Sequence, residues 1–230
     1  MFDLKGYGGM LLDGLWLTVA VGLSSMLLAV LLGLLGSWGK LSRNRLANFI
    51  ADTYTTVVRG IPELILLLLV YFGVPTLLQD IAKRLGHDIR IDLDPFLAGT
   101  LAIGFIYGAF STEVFRGAFI SIPSGQLEAA RAMGMSRILT FRRILLPQAM
   151  RFALPGLGNV WMVLLKATAL ISIIQLDELM RKTKIAANAT HQPFTFYLLA
   201  SIIFLGLTVV SMLLQHRAEK WANRGIAGKP

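Results

Sequence analysis

The 230-residue chain is 55% hydrophobic and only 15% charged, with a mean hydropathy of +0.67, and this balance is far from that of a soluble domain. It contains no cysteine, which excludes disulfides and thiolate metal sites. The formal net charge of +9 could indicate a nucleic-acid partner, but the basic residues lie between apolar segments and form no continuous face, so membrane topology and anionic lipid headgroups explain them better.

Five apolar segments are long enough, alone or with their flanks, to cross a hydrocarbon core about 30 Å thick as helices. The sequence therefore predicts an all-α integral membrane protein with one transmembrane domain over residues 1–230. The second segment is short and contains Pro75, so we expect its helix to include residues upstream. The predicted helices lie near residues 15–35, 57–78, 96–116, 151–176 and 193–215.

A polar and basic stretch, residues 123–147, separates the third and fourth apolar segments. Pro123 and Ser124 fit the start of a helix, because Pro needs no amide partner there and Ser can cap free amides. Gly134 tolerates the left-handed conformation that commonly ends a helix, so a second short helix can begin near Ser136. The pattern predicts two short helices that meet at an angle.

The same stretch carries a spaced motif, in which E-A-A is followed by a glycine and, after nine intervening residues, by I-x-L-P. It resembles the EAA signature of bacterial ABC importer permeases without a gap. In that family the element is the coupling helix, which seats in a cleft of the ATP-hydrolysing subunit. The alternative is a loop that is basic only to set topology. The resemblance assigns coupling to Glu128, Ala129, Ala130, Gly134, Ile144, Leu146 and Pro147.

Three further segments narrow the resemblance, and with the EAA stretch they cover nearly the whole chain. They are R-G-I-P at residues 59–62 and the runs at residues 107–117 and 153–170. Together they resemble polar amino acid permeases, most closely the Q-type subunits of importers for histidine, lysine, arginine and ornithine. This implies a type I ABC importer permease fold and ATP-driven import of basic amino acids. The alternatives are import of another polar amino acid or an opine and, more distantly, a membrane scaffold or channel without an ATPase.

The resemblance also implies partners in the membrane and on both sides of it. They are a second, non-identical permease of M type, two ATP-binding subunits that hold ATP and Mg²⁺, and a periplasmic amino-acid-binding protein. No cofactor, metal site or catalytic residue is expected in this chain, because its histidines are far apart and neither a phosphate-binding loop nor a catalytic motif has the required spacing.

The distribution of lysine and arginine sets the expected orientation. With the N-terminus outside, the inner segments hold fourteen basic residues, of which Arg224 and Lys229 are the last, and the outer segments hold seven. The positive-inside rule then predicts a multi-pass protein of the bacterial inner membrane. Its N-terminus would be periplasmic, and its C-terminus and the EAA stretch would be cytosolic.

One departure from the family pattern concerns the substrate. Many polar amino acid permeases have an acidic residue after the Asn of the fourth-helix motif, but here Asn159 is followed by Val160. A cationic substrate in the membrane needs a negative charge, so we expect the non-identical partner to supply the carboxylate. The alternative is that Val160 faces lipid and the substrate is recognised elsewhere.

Four further residues are candidates for the substrate pathway: Lys166, Thr168, Glu113 and Glu63. A lone lysine near the middle of a span costs roughly 3 kcal/mol unless it is compensated, so Lys166 either lines the pathway or pairs with an acid of a partner chain. Glu113 can instead pair with Arg116 three residues later, and Glu63 can instead interact favourably with the N-terminus of its helix.

Overall fold

Within residues 4–223, which the computed structural model describes, the chain folds into α-helices joined by short turns and loops. Arg224 and Lys229, which contributed to the charge count, lie outside the described residues. The helices are α1 (Gly8–Leu41), α2 (Arg45–Gly60), α3 (Glu63–Leu68), α4 (Val74–Arg84), α5 (Pro95–Ile120), α6 (Ser124–Ala132), α7 (Arg137–Thr140), α8 (Leu146–Ala167), α9 (Leu179–Thr190) and α10 (Pro193–Ala222).

Within residues 4–223, five helical runs are long and apolar enough to cross a membrane, which confirms the predicted all-α fold with five membrane spans. Two of the runs join several helices: π-helical turns connect α3 to α4 and α7 to α8, and a 3-10 segment extends α8. All five reach beyond the predicted bounds at one end or both, because helices continue past the apolar core into the polar interface. The runs are Gly8–Leu41, Glu63–Arg84, Pro95–Ile120, Arg137–Ile174 and Pro193–Ala222.

The second run differs from the helix predicted over residues 57–78. The chain is extended at Ile61, with φ −106° and ψ 137°, so α2 ends at Gly60 and a new helix begins at Glu63. The cause is Pro62, which disfavours the helical conformation of the residue before it. The helix then passes Pro75 and ends at Arg84, because Pro75 lies in the first turn of α4 directly after a π-helical turn.

The fourth run begins much earlier than the predicted residue 151. It starts at Arg137, passes through a π-helical turn at Phe141–Leu145 and continues as α8. Pro147 lies in the first turn of α8, where the extra residue of the π turn has already shifted the hydrogen-bond register. The prediction of a separate second short helix is therefore wrong. That segment forms the first part of the fourth membrane span.

The centre of the fold is a very close contact between α1 and α5. A Cβ atom added at Gly33 of α1 would lie 2.5 Å from Cβ of Ser111, and one added at Gly104 of α5 would lie 2.6 Å from Cδ2 of Leu28. Glycines allow helix backbones to approach this closely in a membrane, where dispersion contacts replace the hydrophobic effect between helices. Residues of α3 and α8 pack around this pair and complete the main core.

The close approach of α1 and α5 leads to a test of stability. Replacing Gly33 with Val should lower the midpoint of thermal unfolding in detergent by roughly 5 °C, since overpacking costs about 1–3 kcal/mol and the clash involves the backbone of Ser111. Gly117→Val on α5 is the matched control, because no atom lies within 4 Å of a Cβ there. Equal midpoints for the two variants would contradict the packing described.

Candidate functional site: the elbow and the charged groups of the spans

Residues 123–147, which we call the elbow, begin with the predicted helix at Ser124. Pro123 occupies the capping position of α6 and Ser124 is its first helical residue, so no side chain caps this end. The predicted cap by Ser124 is wrong, because proline takes the extended capping conformation and moves Ser124 one position into the helix. Glu128 and Ala129 are exposed on α6, whereas Ala130 is buried.

Gly134 ends α6 in the way that the sequence predicts. Its φ is +75°, in the left-handed region that favours glycine. The amide of Gly134 donates to the carbonyl of Arg131 at 2.9 Å, and the amide of Met135 donates to the carbonyl of Ala130 at 3.0 Å. These two bonds form a Schellman motif, which satisfies the last carbonyls of the helix and reverses the chain.

The second arm of the elbow is continuous with the fourth membrane span. Ser136 caps it by accepting a hydrogen bond from the amide of Leu139 at 3.3 Å, and α7 then runs through the π turn into α8. Displacement of the elbow therefore acts directly on a membrane helix, with no loop between them.

A hollow of about 370 Å³ lies between the two arms. It brings together Ala129, Ala130 and Ile144 of the predicted coupling set, together with Met133 and Arg143. Glu128, Gly134, Leu146 and Pro147 lie outside its lining and are exposed. Met133 at 83% and Ile138 at 73% are among the most exposed apolar side chains described. Apolar side chains on a basic surface are typical of a contact site for another protein.

Towards the C-terminal ends of α1 and α5, Glu113 lies in an ion cluster. Its Oε2 atom accepts from Nε of Arg116 at 2.8 Å, which is the pair expected from the spacing, and its Oε1 atom lies 2.5 Å from Nζ of Lys40. Lys40 also contacts Asp52 of α2 at 2.7 Å. With both oxygens paired, Glu113 has the structural role, and the cluster joins three helices.

Two of the predicted pathway residues are buried in the interior of this chain. Val160 is only 6% exposed and belongs to the main core, so it does not face lipid, and the alternative based on that orientation is wrong. Thr168 is fully buried, and its hydroxyl donates to the carbonyl of Leu165 at 2.7 Å. The sequence held a signal for Val160 that was not used, because the buried residues of α8 recur every three or four positions: Ala149, Ala153, Leu157, Val160 and Leu164. Asn159, by contrast, is exposed.

Lys166 and Glu63 carry charges inside the spans. Lys166 is exposed and lines a cavity of about 480 Å³ whose other walls include the hydroxyl-bearing Tyr197, Ser201 and Thr208. It forms no ion pair within residues 4–223. Oε1 of Glu63 accepts a hydrogen bond from the hydroxyl of Tyr107 at 2.9 Å. Of the predicted pathway residues, Lys166, Glu63 and Asn159 are therefore the ones whose polar groups can still contact a ligand.

Glu178 is a structural acid that the sequence reasoning did not single out. It is 1% exposed and caps α9 by accepting from the amides of Met180 and Arg181, both at 2.8 Å. Burial raises the pKa of Glu178 to about 7, against the opposing effect of these two amide donors. The amide of Leu179 donates to the hydroxyl of Thr18, so this corner fixes α9 against α1. An acid directly before a helical run was the available signal.

Five spans, a basic elbow continuous with the fourth span and the EAA spacing define a permease subunit of the ABC importer type. Residues 16–224 match the model of the family described as "Binding-protein-dependent transport system inner membrane component". The chain belongs to this family. The family assignment replaces the scaffold and channel alternative.

Individual relatives agree with this assignment over nearly the full length. The chain is 46% identical over 225 residues to the histidine/lysine/arginine/ornithine transport system permease HisQ of Salmonella typhimurium, covering 96% of this chain and 98% of the relative. It is 48% identical over 222 residues to the nopaline transport system permease NocQ of Agrobacterium fabrum, covering 96% and 94%. A crystal structure of an amino acid ABC transporter with histidines superposes with a TM-score of 0.81 and 29% identity, covering 96% and 98%.

The predicted type I ABC importer permease fold is thus confirmed, and the chain is a multi-pass protein of the inner membrane. Membership implies a partner permease, ATPase subunits that hydrolyse ATP, and a substrate-binding protein. Within residues 4–223, no group of three or more His, Asp and Glu side chains could hold a metal ion.

The buried carboxyl of Glu178 gives a pH-dependent test. The pKa of Glu178 is raised from 4.5 to about 7 in the folded chain, so the unfolded chain releases this proton first and the folded state loses stability as pH rises between these values. In Glu178→Gln this loss is absent. The difference in thermal unfolding midpoint, Glu178→Gln minus wild type, should therefore increase from pH 4.5 to about 7 and then stay constant. A difference that does not change with pH would contradict the assignment.

Proposed function

We propose that this chain forms, with a second permease subunit, the translocation pathway of an ATP-driven importer of basic amino acids: histidine, lysine, arginine and ornithine. The observation that carries the proposal is the 46% identity, over 96% of the chain, to a permease named for these four substrates. An opine importer is the second candidate, favoured by the 48% identity to the nopaline permease. Both substrate classes carry an amino-acid carboxylate.

The charged groups of the spans support passage of a zwitterion. Lys166 presents an ammonium group to a cavity with three hydroxyl side chains, and a carboxylate is the ligand that such a group prefers. We assign Lys166 to the α-carboxylate that all these substrates share, with Asn159 as a further polar contact of the pathway. An exposed lysine within a span is tolerated when it meets such a ligand or a partner chain.

The second permease subunit is proposed to be a non-identical protein of M type. The buried position of Val160 removes the original argument for this partner, because a carboxylate at that position would lie in the core of this chain. The support that remains is the exposure of Asn159 and Lys166 within a membrane span, since polar groups there require another chain, water or substrate. The exposed apolar face of α10 offers contact area for such a chain.

The elbow is proposed to bind the ATPase subunits through its EAA positions, and the ATPase subunits hold ATP and Mg²⁺. When they close on ATP, the elbows of the two permeases are drawn together, and α7 and α8 carry this displacement into the membrane as a rigid body. The coupling set is Glu128, Ala129, Ala130, Gly134, Ile144, Leu146 and Pro147. Its orientation towards the cytosol, with the N-terminus in the periplasm, rests on the excess of basic residues in the inner segments.

Replacing Gly134 tests the coupling role. In Gly134→Val the left-handed backbone would be strained by about 1–2 kcal/mol, so the angle between the arms should change while the spans remain inserted. We expect uptake into proteoliposomes to fall at least tenfold while ATP hydrolysis persists. Gly125→Val, in the same elbow and with free space for a side chain, is the control. Wild-type uptake by Gly134→Val would refute the coupling assignment.

The choice between basic amino acids and opines is best tested on the cognate substrate-binding protein. Its calorimetric affinities for lysine, arginine, histidine, ornithine, nopaline and octopine should rank the four amino acids above the two opines. The reconstituted complex should import the same substrates in the same order. If the binding protein prefers an opine, the chain is assigned to an opine importer instead.

A further inference from the structure

Glu63 places a carboxylate beside the middle of α5. It accepts a hydrogen bond from the hydroxyl of Tyr107, which lies twelve residues after the start of α5 and thirteen before its end. At about 1.5 Å per residue, Tyr107 is therefore about 18 Å from either end of α5, so the carboxyl lies level with the middle of that span although Glu63 is the first residue of the run Glu63–Arg84.

The charge of Glu63 has no cation to neutralise it within residues 4–223. No ion pair includes this residue, and its Oε2 atom accepts no hydrogen bond from this part of the chain. Arg59, the basic residue closest in sequence, has its guanidinium 5.3 Å from the centroid of the Phe110 ring. Glu113 of α5, by contrast, has two cationic partners.

The local fold keeps this carboxylate both fixed and accessible. Tyr107 is 2% exposed, so its hydroxyl holds Oε1 in a defined position. The chain is extended at Ile61 and Pro62, so no helical turn continues over the start of α3, and Glu63 is half-buried. The N-terminus of α3 stabilises an acid at its first residue in part, but within a bilayer such an acid remains costly unless it also meets a cation, and ionisable residues within spans commonly lie on a substrate path.

We propose that Glu63 recognises the positive side chain of the substrate, with Oε2 as the free acceptor and Tyr107 as the residue that positions the carboxylate. The ligand class is an ammonium or guanidinium group at the end of an aliphatic chain. This inference rests on the proposed function and deepens it. The carboxylate of many relatives is missing at Val160, and this absence had indicated that a partner subunit supplies the negative charge. The inference instead places that charge in this chain, at Glu63.

The test compares two ligands that differ in one charge. Arginine and citrulline have the same length, but citrulline carries an uncharged urea in place of the guanidinium. Binding of each radiolabelled compound is measured on the assembled complex of permeases and ATPases in nanodiscs. The wild type should prefer arginine by about tenfold to a hundredfold, the range expected for one charge-assisted hydrogen bond. In Glu63→Gln this preference should fall to within about twofold of unity.

Three variants serve as controls. Glu63→Asp keeps the charge and should keep a preference for arginine, and Tyr107→Phe should keep the preference while weakening arginine binding, since the carboxylate is retained but less fixed. Asp80→Asn removes an exposed carboxylate from the same run of helix and should change nothing.

Two results would overturn the inference. One is an unchanged preference for arginine in Glu63→Gln. The other is loss of the second permease from the purified Glu63→Gln complex, which would show that Glu63 pairs with a cation of that partner. Failure of the proposed function is distinguishable, because the wild-type complex itself would then bind neither compound and its binding protein would select another class of ligand.

Discussion

The proposed coupling depends on one continuous run of helix, Arg137–Ile174, which begins in the elbow and ends at the far side of the fourth span. Helical hydrogen bonds are hard to break in lipid, where water cannot replace them, so the run stays helical even across Pro155 inside α8. Pro147 would ordinarily stop a helix, but the π turn at Phe141–Leu145 places it in a first turn. A displacement of the elbow therefore moves the whole span, and with it Asn159 and Lys166.

The pair of α1 and α5 provides the fixed body against which this span can move. Glycine contacts bring the two backbones together along their length, and the cluster of Lys40, Asp52 and Glu113 fastens their C-terminal ends. Towards the N-terminal end of α1, Glu178 and Thr18 attach α9 to α1. Glu63 accepts a hydrogen bond from Tyr107 of α5, so an acid on α3 is held by this frame.

The sequence predicted well what depends on local chemistry. Apolar runs marked five spans, Gly134 marked the reversal of the elbow, and the spacing of Glu113 and Arg116 marked an ion pair. It failed where tertiary packing decides. Val160 lies on the face of α8 that Ala149, Ala153, Leu157 and Leu164 share, and this spacing indicates a buried face but not which part of the molecule packs on it.

Other errors came from proline, whose effect depends on its surroundings. Pro62 separates α2 from α3, so no single helix covers residues 57–78, and the R-G-I-P run held that signal. Pro147 does not end a helix, because a π turn precedes it. The pairing of Glu63 with Tyr107 joins residues 44 positions apart, and only the packing of α3 on α5 defines it.

The most direct test of the rigid link is a distance within the chain. Because the natural sequence has no cysteine, spin labels can be attached at Arg137→Cys in the elbow and Val163→Cys in the span, about 39 Å apart along a continuous helix. Pulsed electron paramagnetic resonance on the reconstituted complex should give the same distance without nucleotide and with ATP trapped. A change of about one helical turn, roughly 5 Å, would show that the helix flexes at the π turn and would contradict transmission by a rigid span.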